Sequence, residues 1–171
     1  MGGFTIGIVG LGLIGGSLGL DLALWEKKER IIGYDISQEV ARKAKQKGAV
    51  DCIGKSIEEV AERSDLLFIA TPVREIPRVF HAAWPFLRDG ARVFDTGSSK
   101  EWIFETIRLG NRNVEYVGFH PMGGAAKGGI DQARAGLFRN MPVLVVPVVV
   151  RGETRELLFE LGGVIGGKVF F

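Results

Sequence analysis

Cysteine is almost missing from this chain, where Cys52 stands alone among 171 residues. A single thiol excludes an intrachain disulfide and a thiolate metal cluster, and it fits a reducing, cytoplasmic compartment. An excess of one charge is lacking too. Lys and Arg number 22 against 20 Asp and Glu, for a formal net charge of +2, so neither nucleic acid nor an anionic membrane is indicated as a partner. Basic clusters such as Lys27-Lys28-Glu29-Arg30 and Arg42, Lys43, Lys45 and Lys47 read as solvated helix faces. Long hydrophobic runs free of glycine are scarce. Phe4–Leu20 is apolar and uncharged, but it carries six glycines, has no basic flank before it and meets Asp21 directly, so it is read neither as a membrane span nor as a signal peptide. With no internal repeat and no low-complexity linker, residues 1–171 are read as one domain around one core.

What the chain does have is alternation. Short apolar runs are followed by amphipathic stretches, a pattern that predicts βα units and an α/β fold with a doubly wound, mainly parallel sheet. Strands are expected at Thr5–Val9, Arg30–Asp35, Asp65–Ala70, Arg92–Asp95, Glu115–Phe119 and Met141–Val150. The last of these holds Pro142 and Pro147 and belongs near a sheet edge. Helices are expected from Ile14 to about Lys28, from Ser37 to the Gly48 stop, after the capping box Ser56-Ile57-Glu58-Glu59, and over Val73–Leu87, the last broken by Pro77 and Pro85. A second capping box, Ser98-Ser99-Lys100-Glu101, predicts a helix to about Leu109. Further helices are expected over Ile130–Ala135 and Thr154–Leu161, with one more strand beginning within Val164–Phe171.

The strongest local signal is Gly10-Leu11-Gly12-Leu13-Ile14-Gly15 between the first strand and the first helix. The spacing alone is weak, because the chain has 25 glycines; its position gives it weight. The first glycine permits a tight turn, the second admits a pyrophosphate to the backbone, and the third packs helix against strand. The helix N-terminus then favours the negative charge. Asp35 stands 20 residues beyond Gly15, at the end of the second strand, where a carboxylate accepts hydrogen bonds from an adenosine ribose. A 2′-phosphate about 4 Å from that carboxylate would be repelled by at most roughly 4 kcal/mol at an effective dielectric near 20. Residues 36–38 supply no arginine to offset this, so NAD is expected rather than NADP. The Ala70-Thr71-Pro72-Val73 turn is expected near the nicotinamide-ribose side, with Thr71, Pro72 and Val73 among the cofactor contacts.

Of two histidines, His81 sits mid-helix and is read as structural. His120 follows a strand and precedes Pro121-Met122-Gly123-Gly124, at the carboxyl end of the sheet where ligands bind. An imidazole there can accept a hydroxyl proton while hydride leaves the same carbon. Ser98 sits at another strand end, either capping the next helix or turning its hydroxyl toward His120.

Together VGLGLIGGSL, GYD, DLLFIATPV, DTGSSK and GFHPMGG, in order over roughly residues 4–147, resemble the prephenate dehydrogenase family of tyrosine biosynthesis. The resemblance implies NAD-dependent oxidative decarboxylation of prephenate, or of arogenate, with His120 taking the ring hydroxyl proton and Ser98 orienting His120. It also implies a C-terminal helical domain that makes a homodimer and supplies an arginine for the substrate carboxylate. That domain is not expected within these 171 residues. Where the family often has an acid after HPMxG, this chain has Ala125-Ala126-Lys127. Two other readings stay open: a different small-acid dehydrogenase on the same nucleotide-binding fold, and a non-catalytic NAD-binding module.

Overall fold

The computed structural model describes residues 2–171. Its first half alternates strictly: β1 (Phe4–Val9), α1 (Leu13–Leu22), β2 (Lys28–Tyr34), α2 (Gln38–Lys47), β3 (Cys52–Ile53), α3 (Ile57–Arg63) and β4 (Leu66–Ile69). The second half runs α4 (Ile76–Ala83), β5 (Arg92–Asp95), α5 (Lys100–Thr106), β6 (Glu115–Pro121), β7 (Pro142–Val149), α6 (Gly152–Val164) and β8 (Lys168–Phe170). The eight strands form one sheet in the order β3-β2-β1-β4-β5-β6-β7-β8. All neighbours are parallel except β6 and β7. The strand order reverses between β1 and β4, which opens a crevice beyond their carboxyl ends.

Period-two alternation feeds two cores, one on each face. In β4, Leu66 and Phe68 enter the core shared with α1, α2 and α6, while Leu67 and Ile69 enter the core shared with α3 and α4. Phe68, Phe94 and Phe119, from three adjacent strands, form a ring cluster on the first face, with centroid separations of 4.8–6.0 Å.

Several boundaries differ from those expected, each for a local reason. α1 ends at Leu22 instead of near Lys28, because Trp25 folds back to stack on Phe4 at 5.4 Å and to donate its Nε1–H to Glu160. Val73–Leu87 is indeed broken: Pro77 lies in the first turn of α4, and Pro85 lies in a separate 3-10 turn, Trp84–Phe86. The helix expected over Ile130–Ala135 is only a 3-10 turn, Ile130–Gln132. Side chains on α1 compete for its backbone, with Ser17 Oγ accepting from Arg134 N at 3.1 Å and Asp21 Oδ1 accepting from Gly136 N at 2.8 Å. β7 lies one strand in from the edge, which β8 occupies, and α6 is longer than expected at both ends. The two-residue β3 has no counterpart among the expected strands.

The capping box at Ser98 does not form. α5 starts at Lys100 with Ser99 in the N-cap position, and no side chain caps it. The cause is Asp95, whose buried carboxylate reorganises the segment. Asp95 Oδ1 accepts from Gly97 N at 3.0 Å and from Lys100 Nζ at 2.5 Å, and Oδ2 accepts from Tyr116 Oη at 3.0 Å. Lys100 Nζ also donates to the Asp95 carbonyl at 3.0 Å. Burial pulls the Lys100 ammonium below its ordinary pKa, partly countered by Asp95. Burial also pushes the Tyr116 phenol up, with the Asp95 charge adding to the effect. The Lys100 stem fits because position 118 is glycine; a Cβ there would stand 2.8 Å from Lys100 Cε.

Two outcomes follow from these buried charges. Lys100→Met leaves the Asp95 carboxylate without its cation and is expected to cost about 3–5 kcal/mol in urea unfolding. Adding Asp95→Asn to that variant should recover part of the loss. For Asp21, burial outweighs the Gly136 hydrogen bond and Arg139, raising its carboxyl pKa. A raised folded pKa gives stability that is full at low pH and lost as pH climbs through it. The melting temperature of the wild type relative to Asp21→Asn should therefore rise as pH falls from about 7 toward 4. Parallel curves would refute this.

Candidate active site

The glycine turn between β1 and α1 adopts the geometry its spacing predicts. Gly10 has φ +91°, a conformation L side chains rarely adopt. A Cβ on Gly15 would lie 1.8 Å from the Gly10 carbonyl oxygen, so helix and turn touch backbone to backbone. A Cβ on Gly12 would meet nothing within 4 Å, and this glycine faces the open crevice. The turn is held by Asp35, just beyond β2. Its Oδ2 accepts from Leu11 N and its Oδ1 from Ser37 N, both at 2.9 Å. Each oxygen keeps a lone pair for a further donor. Asp35 is half-buried and, among the described residues, makes no ion pair within 4.0 Å.

Asp35 also divides two cavities. One, of about 350 Å³, runs from Gly10 and Gly12 across Ile36 and Ile57 to Thr71, Pro72 and Val79. The other, of about 340 Å³, lies on the α2 side of the carboxylate. A third hollow, also about 350 Å³, continues the groove past the turn. Gly12, Leu13, Ile14, Thr71, Pro72 and Val73 line it on one side, and Thr96, Gly97, Ser98 and His120 on the other. Every expected cofactor residue except Gly15 therefore borders the same hollow as both expected catalytic residues, or the cavity joined to it. Gly15 lies beneath it as packing, and Asp35 closes its far end.

His120 lies within β6, not after it, and pairs across the antiparallel ladder with Leu144. β5 stops at Asp95, opposite Gly118, so His120 and Pro121 project past its end. In that position His120 Nδ1 is 2.7 Å from the Thr96 carbonyl oxygen. A carbonyl only accepts, so Nδ1 carries the proton and Nε2 is left as an acceptor. The expected orienting partner, Ser98, lines the same hollow, but His120 donates its hydrogen bond to the Thr96 backbone carbonyl instead. That partner was invisible in the sequence because a carbonyl has no residue signature. His81 is structural, its Nε2 accepting from Arg108 N at 3.2 Å.

The residues fit a dinucleotide. Thr71 Oγ1 is buried on the crevice wall with no hydrogen-bond partner, a polar atom awaiting one. Gly12 leaves room for a phosphate at the start of α1, and Asp35 can accept from a ribose diol. Among the described residues no group of three or more His, Cys, Asp or Glu could hold a metal ion. No helix among them is long and apolar enough to cross a membrane.

Comparison with known proteins agrees with this geometry. Residues 18–169 match the family model described as prephenate dehydrogenase, nucleotide-binding domain. Cyclohexadienyl dehydrogenase of Zymomonas mobilis is 31% identical over 142 residues, covering 83% of this chain and 48% of that protein. Arogenate dehydrogenase of Synechocystis superimposes with a TM-score of 0.84 at 29% identity, over 97% of this chain and 58% of that one. Prephenate dehydrogenase of Aquifex aeolicus, solved in complex with hydroxyphenyl propionate and NAD+, gives 0.83 at 31% identity, over 99% and 59%. The chain thus spans about half the length of its curated relatives. The chain belongs to the prephenate dehydrogenase family and carries that family's nucleotide-binding domain.

Proposed function

We propose that the whole protein is an NAD-dependent oxidoreductase of tyrosine biosynthesis that oxidatively decarboxylates prephenate, or the related amino acid arogenate. The observation that carries this reading is the His120 ring, held by Thr96 with Nε2 free on the wall of the crevice. Gly10, Gly12, Leu13 and Ile14 would receive the pyrophosphate, Asp35 the adenosine ribose, and Thr71, Pro72 and Val73 the nicotinamide half. NAD bound there supplies the hydride acceptor.

The side chains then have defined tasks. His120 Nε2 accepts the hydrogen of the substrate's ring hydroxyl as hydride leaves the carbon bearing it. The bond between ring and carboxylate breaks, carbon dioxide departs, and that bond's electrons complete the aromatic ring. The proton held by His120 returns to the oxygen as the phenol forms, so no net proton is released. Ser98 borders the same hollow and is assigned to orient substrate and nicotinamide. Fixing His120 to a backbone carbonyl keeps it in one tautomer, so no reorientation is required during the reaction. The whole protein is proposed to act as a cytoplasmic homodimer.

A positioned base contributes about 10²–10⁴-fold. His120→Asn in the full-length protein is therefore expected to lower kcat by about that factor with prephenate, while NAD affinity by calorimetry stays within about threefold. Unchanged turnover would reject His120 as the base. NAD binding without turnover of prephenate or arogenate by the unaltered full-length protein would favour a binding module instead.

A further inference from the structure

One peptide group joins the buried carboxylate of Asp95 to the histidine of the crevice. The Thr96 carbonyl meets His120 Nδ1 at 2.7 Å, and the Gly97 N–H donates to Asp95 Oδ1 at 3.0 Å. These two groups belong to the same peptide unit. It is planar and trans, so its ends point in opposite directions and cannot turn separately. Asp95 is fully buried and Thr96 nearly so. The end of β4 pins Thr96 in turn, since its N–H and its hydroxyl both donate to the Ile69 carbonyl, at 3.1 and 3.4 Å. The approach needs a residue without a side chain at position 97. A Cβ there would lie 2.6 Å from Ile103 Cδ1, 2.7 Å from Ile76 Cδ1 and 3.1 Å from Asp95 Oδ1. Lys100 balances the buried charge by donating to Oδ1 and to the Asp95 carbonyl, and it leaves the Thr96 carbonyl to the histidine.

We propose that Asp95 is a positioning residue for His120 and acts on it through the Thr96–Gly97 peptide. The carboxylate accepts a charge-assisted hydrogen bond from one end of the peptide, and the polarised carbonyl at the other end becomes a stronger acceptor. Two effects follow at the ring. Nδ1 keeps its proton, so Nε2 stays the acceptor that faces the crevice. When Nε2 takes a proton, the positive ring stands two hydrogen bonds away from a fixed negative charge. Asp95 thereby orients the imidazole without touching it, and a buried acid serves a base on another strand through backbone alone. The inference rests on the reading of His120 as the base and deepens it.

Two paired substitutions in the full-length protein test it, each removing both buried charges together. Asp95→Leu/Lys100→Met leaves Gly97 N without its acceptor, whereas Asp95→Asn/Lys100→Met keeps one. The readouts are steady-state kinetics with prephenate and nitrogen NMR of the imidazoles, with the His120 signal identified by its loss in His120→Asn. The Leu variant is expected to lose at least about tenfold in kcat, with KM and NAD affinity within about threefold, and to mix the two ring tautomers. The Asn variant should recover at least about threefold of that kcat together with the Nδ1–H tautomer. A Leu variant with the wild-type kcat and tautomer, or an Asn variant no better than it, overturns the proposal. Should the Leu variant fail to fold, Gly97→Ala displaces the same peptide with both charges in place and is expected to mix the tautomers; an unchanged tautomer there overturns the proposal as well. The tautomer is read without turnover, so loss of this coupling is distinguished from failure of His120 as the base.

Discussion

The site depends on one carboxylate that no solvent reaches. Asp95, fully buried at the end of β5, gathers the Lys100 ammonium, the Tyr116 phenol and the Gly97 N–H around itself. Each partner comes from a different place: α5, the face of β6, and the turn between β5 and α5. Their convergence sets the path of residues 96–98, and therefore the direction of the Thr96 carbonyl that meets His120. A buried charge is a costly way to fix a turn, but a fully hydrogen-bonded one tolerates few alternative arrangements. Lys100 is thus a positioning residue. It touches nothing in the crevice, yet it stabilises the segment that orients the histidine.

Much of the architecture could be read directly from the residues, because its causes are local. DLLFIA is apolar on both sides, and a strand with a core on each face is the result. The glycine turn was legible for the same reason: a positive φ at Gly10 and a backbone contact at Gly15 each demand a particular residue type. Misreadings arose wherever a side chain captured a backbone group that the local pattern assigned elsewhere. Ser98 followed by Glu101 has the spacing of a cap, but Asp95 captures the Gly97 N–H and delays the helix. Ile130–Ala135 has helical spacing, but Ser17 and Asp21, over a hundred residues earlier, take the N–H groups of Arg134 within it and of Gly136 just beyond it. Arg42 looked like one cation on a solvated helix face. Only the β2–β3 pairing brings Lys55 beside it and turns two surface charges into the wall of a cavity.

Under the proposed function, the crevice separates recognition from chemistry along its length. At one end Asp35 and the glycine turn present fixed backbone and a carboxylate, and at the other Thr96, Ser98 and His120 cluster at the ends of β5 and β6. Between them the Thr71-Pro72-Val73 turn borders both spaces, and Thr71 Oγ1 waits there without a partner. The two ends are held independently: Asp35 accepts from Leu11 and Ser37 at one, and His120 meets the Thr96 carbonyl at the other.

Adjacent strands of unequal length give the sheet a stepped rim. β5 halts opposite Gly118 while β6 continues to Pro121, so the last residues of β6 are flanked by a strand on the β7 side alone. The missing rungs leave a ledge, and the imidazole stands on it with a main-chain oxygen below. Strand termination thus shapes the pocket as much as any side chain does: a β5 longer by two residues would fill the ledge with ladder hydrogen bonds and bury the histidine in the sheet.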